Sequence, residues 1–221
     1  MGKPILYGYD ISPPVRAVLL TANAIGLDFE YREVNIMAGA HLSEEYLKKN
    51  PQHTIPMLED DGKCIWDSHA IAVYLIEKYG DDKFLYPKDL YKRAIIDQRL
   101  HFDSGVLFPT FRRIVDSLRT KGTIEEEDRK RLLDAFEFLE KFLSKDLYLG
   151  GNCLTVADLC CVATVSSLTM NNPVDAAKFP KLNEWLQRMA LLPYYQKANG
   201  EGLARAAELF KNMASSAQGS Q

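Results

Sequence analysis

The sequence predicts an α/β N-terminal domain of element order βαβαββα followed by an all-α helical domain. Three observations carry this. At 221 residues the chain exceeds the common domain size of about 100 to 150 residues, so two domains are expected. Its 47% hydrophobic and 26% charged content is that of a globular protein able to bury a core. Finally, the apolar period changes: short alternating runs interleave with helical patterns up to residue 80, and only helical spacing follows.

Taken in order, Ile5-Leu6-Tyr7-Gly8-Tyr9 reads as a strand. Ser12-Pro13-Pro14 then opens a helix closed by Gly26, with proline where a helix amide would go unpaired in any case. Residues 29–35 alternate as a second strand, and after a loop at 37–41, Ser43-Glu44-Glu45 heads a short helix ending near Asn50-Pro51. Pro56-Met57-Leu58 runs through the hairpin signal Asp60-Asp61-Gly62 into Cys64-Ile65-Trp66, so these two strands pair antiparallel. Asp67-Ser68 heads an amphipathic helix stopped by Gly80. The polar stretch 81–88, with Pro87, reads as a linker, dividing the chain into domains 1–80 and 89–221.

Beyond the linker, residues 90–118, 125–145, 155–170, 179–191 and 203–213 are spaced as helices. Pro109 should kink or break the first of them, since an interior proline forfeits a backbone bond at a cost of about 3 kcal/mol. Thr155-Val156-Ala157-Asp158 fits a capping box that serves folding.

Composition excludes several functions. With 27 Lys and Arg against 30 Asp and Glu there is no basic excess to neutralise phosphates, so no nucleic acid partner is expected. The longest apolar runs, such as 159–165, fall short of the roughly 18 residues of a membrane span, and no signal peptide or lipidation motif is visible. A soluble, cytoplasmic protein with no membrane partner is the expectation. Cys64, Cys153, Cys160 and Cys161 form no C-x-x-C and no zinc spacing, so neither a metal nor a disulfide framework is expected. Adjacent Cys160 and Cys161 lie in an apolar stretch and read as core packing.

Several motifs are family-specific. Ile11 to Ala17 nearly matches Leu-Ser-Pro-Pro-Val-Arg-Ala, and Asn50-Pro51-Gln52-His53-Thr54-Ile55-Pro56 is closely diagnostic. Leu85-Tyr86-Pro87-Lys88-Asp89, His101-Phe102-Asp103-Ser104-Gly105-Val106-Leu107-Phe108 and the Thr155-x-x-Asp158 box complete the set. Over nearly its whole length the chain resembles the insect glutathione transferases of the delta and epsilon group, the epsilon class most. The resemblance implies a thioredoxin-like N-terminal domain in the cytosolic glutathione transferase architecture, with Ile55-Pro56 as a cis bond. It also implies a homodimer, glutathione as co-substrate with no permanently bound cofactor, and small hydrophobic electrophiles as second substrates. Val15 stands where many relatives have Cys, and Asp67 where a Glu usually precedes the serine.

The chemistry follows from the residues. A free thiol has a pKa of about 8.5, and lowering it by two units needs roughly 2.7 kcal/mol of preferential anion stabilisation. Ser12, at a helix N-cap, is placed to accept the Val15 amide while donating its proton to a thiolate. Read alone it is only a cap; the resemblance makes it the catalytic donor. Tyr7 and Tyr9 are rival donors that rank behind it as strand aromatics. Asp67 and Ser68 alone read as a cap too, but in relatives the matching pair binds the γ-glutamyl ammonium and carboxylate. The resemblance adds His41 and His53 at the glycyl end and Ile55 offering its backbone N–H and C=O to the cysteinyl part, with Thr54 and Pro56 also among the glutathione-binding residues.

For the electrophile, Phe108, Phe111, Arg112 and Val115 share a helix face, with Leu203 and Phe210 approaching from the last helix. Ile36 joins this pocket by resemblance, and ordinary core is the competing reading for the apolar members. Arg112 is awkward in a core and is assigned to glutathione or the rim. His69 and His101 are read as packing or dimer-interface residues.

The leading function is a transferase that conjugates glutathione to electrophiles, with dehydrochlorinase or peroxidase chemistry open to the same thiolate. The alternative is a non-catalytic structural or binding protein on the same fold, against which the joint presence of Ser12, His53 and Ser68 argues. A thiol-disulfide enzyme would need Cys at position 12.

Overall fold

The structure, a computed structural model, describes residues 2–81, 84–170 and 172–219. A four-stranded sheet forms from β1 (Ile5–Gly8), β2 (Glu30–Glu33), β3 (Met57–Asp60) and β4 (Lys63–Trp66), in the order β2-β1-β3-β4. Strand β1 pairs parallel with β2 and antiparallel with β3, and β3 pairs antiparallel with β4. The expected hairpin is present, and Asp61 and Gly62 take the positive φ angles, 48° and 73°, that a tight primed turn requires.

Period-two alternation assigns the two faces of the sheet. Leu6 and Leu58 point toward α1 (Pro13–Ala24) and α3 (Ser68–Tyr79), where they pack with Val18, Ala22, Ile71 and Leu75. Tyr7 and Met57 point the other way, to Val34 and to Tyr46 of the short helix α2 (Glu44–Lys49), which Ser43 caps through the Tyr46 amide. Strand β2 is exposed throughout, as its edge position allows.

The helical domain comprises α4 (Leu90–Phe102), α5 (Phe108–Lys121), α6 (Glu126–Phe142), α7 (Val156–Thr169), α8 (Pro180–Ala190) and α9 (Glu201–Gly219). Helix α7 is its axis: every residue from Val156 to Leu168 is buried, and it packs on α1, α3, α4, α5, α8 and α9. Cys160 and Cys161 lie wholly inside, where burial pushes both thiols up, consistent with packing and not with redox work. The capping box forms, with the Thr155 N–H donating to Asp158 Oδ2 at 2.9 Å. Asp158 is also gripped by the Leu149 amide at 2.7 Å and Trp185 Nε1 at 3.0 Å, tying the start of α7 to α8. One continuous core contains Ile11, Leu20 and Ile76 together with Leu107, Val162 and Trp185, so the sheet domain and the helices share an interior.

Three expectations are corrected in detail. Pro109 neither breaks the helix nor stands in a simple kink; a π turn over residues 103–107 precedes it, in which the Phe108 amide bonds the Asp103 carbonyl. The wider turn supplies an acceptor register that does not need the proline amide. The last helix begins with a second π turn at residues 196–200, ahead of the expected 203, where Asn199-Gly200 imitates a stop signal. The stretch 81–88 is only partly free as a linker. Asp82 and Lys83 lie outside the described residues, but Leu85 is buried and its carbonyl accepts the Val156 amide at 2.9 Å.

Candidate active site

A cleft of about 570 Å³ opens where the loops at the ends of β1 and β3 and the start of α3 face the first π turn and α5. Ser12 stands at its edge as the N-cap residue of α1, with Pro13 and Pro14 in the first turn. The expected bond from the Val15 amide to the Ser12 hydroxyl does not form. The hydroxyl proton would be free for a ligand with or without that bond, since a cap uses only a lone pair.

The opposite wall is the 50–56 loop. Asn50, fully buried, accepts the Gln52 amide at 3.0 Å and donates to the Thr54 carbonyl at 2.9 Å, while the Tyr46 hydroxyl donates to that same carbonyl at 2.7 Å. These bonds set the loop so that His53, at φ 46°, and the cis Ile55-Pro56 bond face the cleft with Thr54. His41 and His53 have ring centroids 6.1 Å apart, and His41 Nδ1 is a buried polar atom without a protein partner. Such an atom suits a ligand carboxylate.

Asp67 caps α3, its Oδ1 accepting the His69 and Ala70 amides at 3.0 Å each, and its φ of 75° is one non-glycine residues seldom adopt. Ser68 follows as the first helical residue, and both line the cleft. His69 and Asp103 line it too, joined by a 2.9 Å bond between His69 Nε2 and Asp103 Oδ2, with Asp103 Oδ1 buried and unpartnered. Burial disfavours the charged imidazole, but the hydrogen bond and charge of Asp103 outweigh it and hold the His69 pKa above its ordinary value. His69 thus belongs to the cleft wall, beyond the packing role expected. Asp103 was missed because its approach depends on the π turn, which no local pattern announces.

From the helical side Phe108, Arg112 and, across the cleft, Ile36 reach the site. Phe111, Val115, Leu203 and Phe210, expected in the pocket, are not among the residues lining this cleft. The shared face is real, since the Phe108 and Phe111 rings stack at 6.0 Å, but Phe111 is 6% exposed and packs on Phe210, itself 7% exposed. The cleft touches α5 only at Phe108 and Arg112, and Val115 lies three residues beyond Arg112, roughly 4.5 Å further along the axis. The rival donors are also elsewhere. The Tyr7 hydroxyl donates to Glu59 at 2.9 Å and accepts from Lys49 at 3.0 Å and Arg32 at 2.9 Å, and neither Tyr7 nor Tyr9 lines the cleft.

A serine hydroxyl, a backbone edge at a cis proline, the carboxylates of Asp67 and Asp103 and the imidazoles of His41, His53 and His69 thus line one cleft of a thioredoxin-like N-terminal domain. Residues 6–83 match the family described as glutathione S-transferase, N-terminal domain, and residues 95–193 its C-terminal domain. The chain is 48% identical over 203 residues to glutathione S-transferase 1 of Manduca sexta, covering 89% of this chain and 92% of that protein. It is similar to an epsilon-class glutathione S-transferase of the housefly Musca domestica, with TM-score 0.93 and 50% identity over 96% of this chain and 98% of that one. A glutathione transferase homologue of Drosophila mojavensis with bound glutathione superposes with TM-score 0.92 at 47% identity, over 96% of this chain and 98% of the other. The chain belongs to the glutathione S-transferase family.

Proposed function

We propose that this enzyme binds glutathione in the cleft, stabilises its thiolate through the Ser12 hydroxyl and conjugates it to small hydrophobic electrophiles. The sulfur lone pair forms the new carbon–sulfur bond, the leaving group departs with its electron pair, and the thiol proton passes to solvent. Asp67 and Ser68 take the γ-glutamyl end, Ile55 and Pro56 the cysteinyl backbone, with Thr54 beside them, and His41 and His53 the glycyl carboxylate. Arg112 closes the glutathione side of the rim, and Phe108 with Ile36 forms the apolar wall met by the electrophile. The bound glutathione of the Drosophila mojavensis homologue supports glutathione as the ligand. We further assign residues 1–80 as the glutathione-binding domain, 81–88 as the connection and 89–221 as the helical domain, in a cytoplasmic homodimer. No helix among the described residues is long and apolar enough to cross a membrane.

The observation that carries the proposal is that Ser12, its cap bond unmade, lines the cleft. Ser12→Ala should keep glutathione affinity and lose turnover, with the pKa of bound thiol raised in a titration of thiolate absorbance. An unchanged thiol pKa and turnover would place the donor elsewhere.

A further inference from the structure

The turn that presents Ser12 is held by groups that never enter the cleft. Residues 9–12 close on themselves through the Ser12 N–H, which donates to the Tyr9 carbonyl at 2.9 Å. The carbonyls of the two central residues, Asp10 and Ile11, must then find partners. Arg16 takes both, its Nη1 donating at 3.0 Å to Asp10 and at 2.8 Å to Ile11. Arg16 is completely buried, and its other bonds lead into the helical domain: Nε to Asn199 Oδ1 at 2.9 Å, Nη2 to the Ala163 carbonyl at 3.3 Å and to the Ser167 hydroxyl.

The same turn is gripped a second time. Arg205 of α9 donates to the Asp10 carboxylate, through Nε at 3.2 Å and also through Nη2. A Cβ on Gly202 would sit 2.3 Å from the Asp10 carbonyl oxygen, so α9 approaches the turn more closely than any side chain there would permit. The Ser12 side chain, by contrast, makes no cap bond among the described residues, so its position is set by its backbone. Burying a guanidinium is costly, and this one is directed at the two carbonyls immediately before the serine.

We propose that Arg16 is a positioning residue for the reaction: by clamping the Asp10 and Ile11 carbonyls it fixes the direction in which Ser12 presents its hydroxyl to the glutathione sulfur. This rests on the reading of Ser12 as the thiolate donor. Burial lowers the Arg16 pKa to about 10, with Asp10 and Tyr195 opposing, so the clamp stays charged at neutral pH.

Arg16→Lys keeps a cation but replaces the fork with a single ammonium that cannot span both carbonyls and Asn199. The expected result is glutathione affinity within about twofold, a thiol pKa raised by about one unit, and kcat about tenfold lower below that pKa but converging with the parent at high pH. Ser167→Ala, which loosens Arg16 only on its α7 side, should lower the melting temperature and leave the pH profile in place. Ser12→Ala is measured in parallel. If it leaves the thiol pKa unchanged, the serine reading falls and the Arg16 proposal with it. If it raises the pKa and a folded Arg16→Lys does not, the Arg16 proposal alone is overturned. The double variant should be no worse than Ser12→Ala. Should Arg16→Lys fail to fold, Asn199→Ala decides, with an upward pKa shift as support and an unchanged pH profile as refutation.

Discussion

The single carboxylate of Asp67 caps a helix, and on the proposed function it also pairs with the γ-glutamyl ammonium. Its Oδ1 caps α3 through two amides, and the side chain lies in the cleft, where a charge partner for an ammonium is needed. Asn is isosteric, caps well and tolerates positive φ, so Asp67→Asn isolates the charge from the fold. It should weaken glutathione binding by about 1.5 to 3 kcal/mol, the range for a hydrogen bond to a charged group, as read by calorimetry. The rate at saturating glutathione should stay near normal, because the pairing is equal in ground and transition states. Unchanged affinity would make Asp67 a cap alone and pass the ammonium to Asp103, whose Oδ1 is buried without a partner.

The α5 helix shows how one face can serve two purposes. Phe108 and Arg112, near its start, line the cleft, whereas Phe111 is sealed between the Phe108 and Phe210 rings. Phe108→Ala should change preference among aryl halides, unsaturated aldehydes and hydroperoxides while barely altering glutathione affinity. Phe111→Ala should instead cost about 3 to 5 kcal/mol of stability, seen in denaturant melts, with losses similar for all electrophiles. Helical spacing identified the shared face, but only the position of α9 separates wall from core. The π turn belongs to the same scale: Pro109 announced an irregularity, and the wide turn that resolves it also brings Asp103 to His69.

Across the whole molecule the sheet domain and the helices are joined by a shared core and by polar ties, among them the pair of His69 on α3 with Asp103 on the π turn. Because the folded pKa of His69 is raised, its stabilising contribution is fully present below the unfolded value of about 6.5 and is lost as pH rises through the folded value. Urea midpoints of the parent and Asp103→Asn should therefore differ more at a pH of about 5.5 than at about 8.5. An equal gap at both would mean that the pair does not exchange a proton on unfolding.

Much of this protein was legible in its sequence. Strand alternation, the Asp61-Gly62 turn, the capping box and the unbroken apolar run of α7 are local or periodic signals, and backbone sterics and burial translate them directly into elements. The 50–56 motif and the proposed role of Ser12 were legible only through the resemblance to the glutathione transferases, since read alone Ser12 is a helix cap. Tertiary structure alone decided that Ser12 leaves its cap bond unmade, that Phe111 and Phe210 turn inward, and that Arg16 reaches across 183 positions to Asn199. Those outcomes depend on where a neighbouring helix lies to within an ångström or two, and no periodicity within a single segment encodes the distance to another.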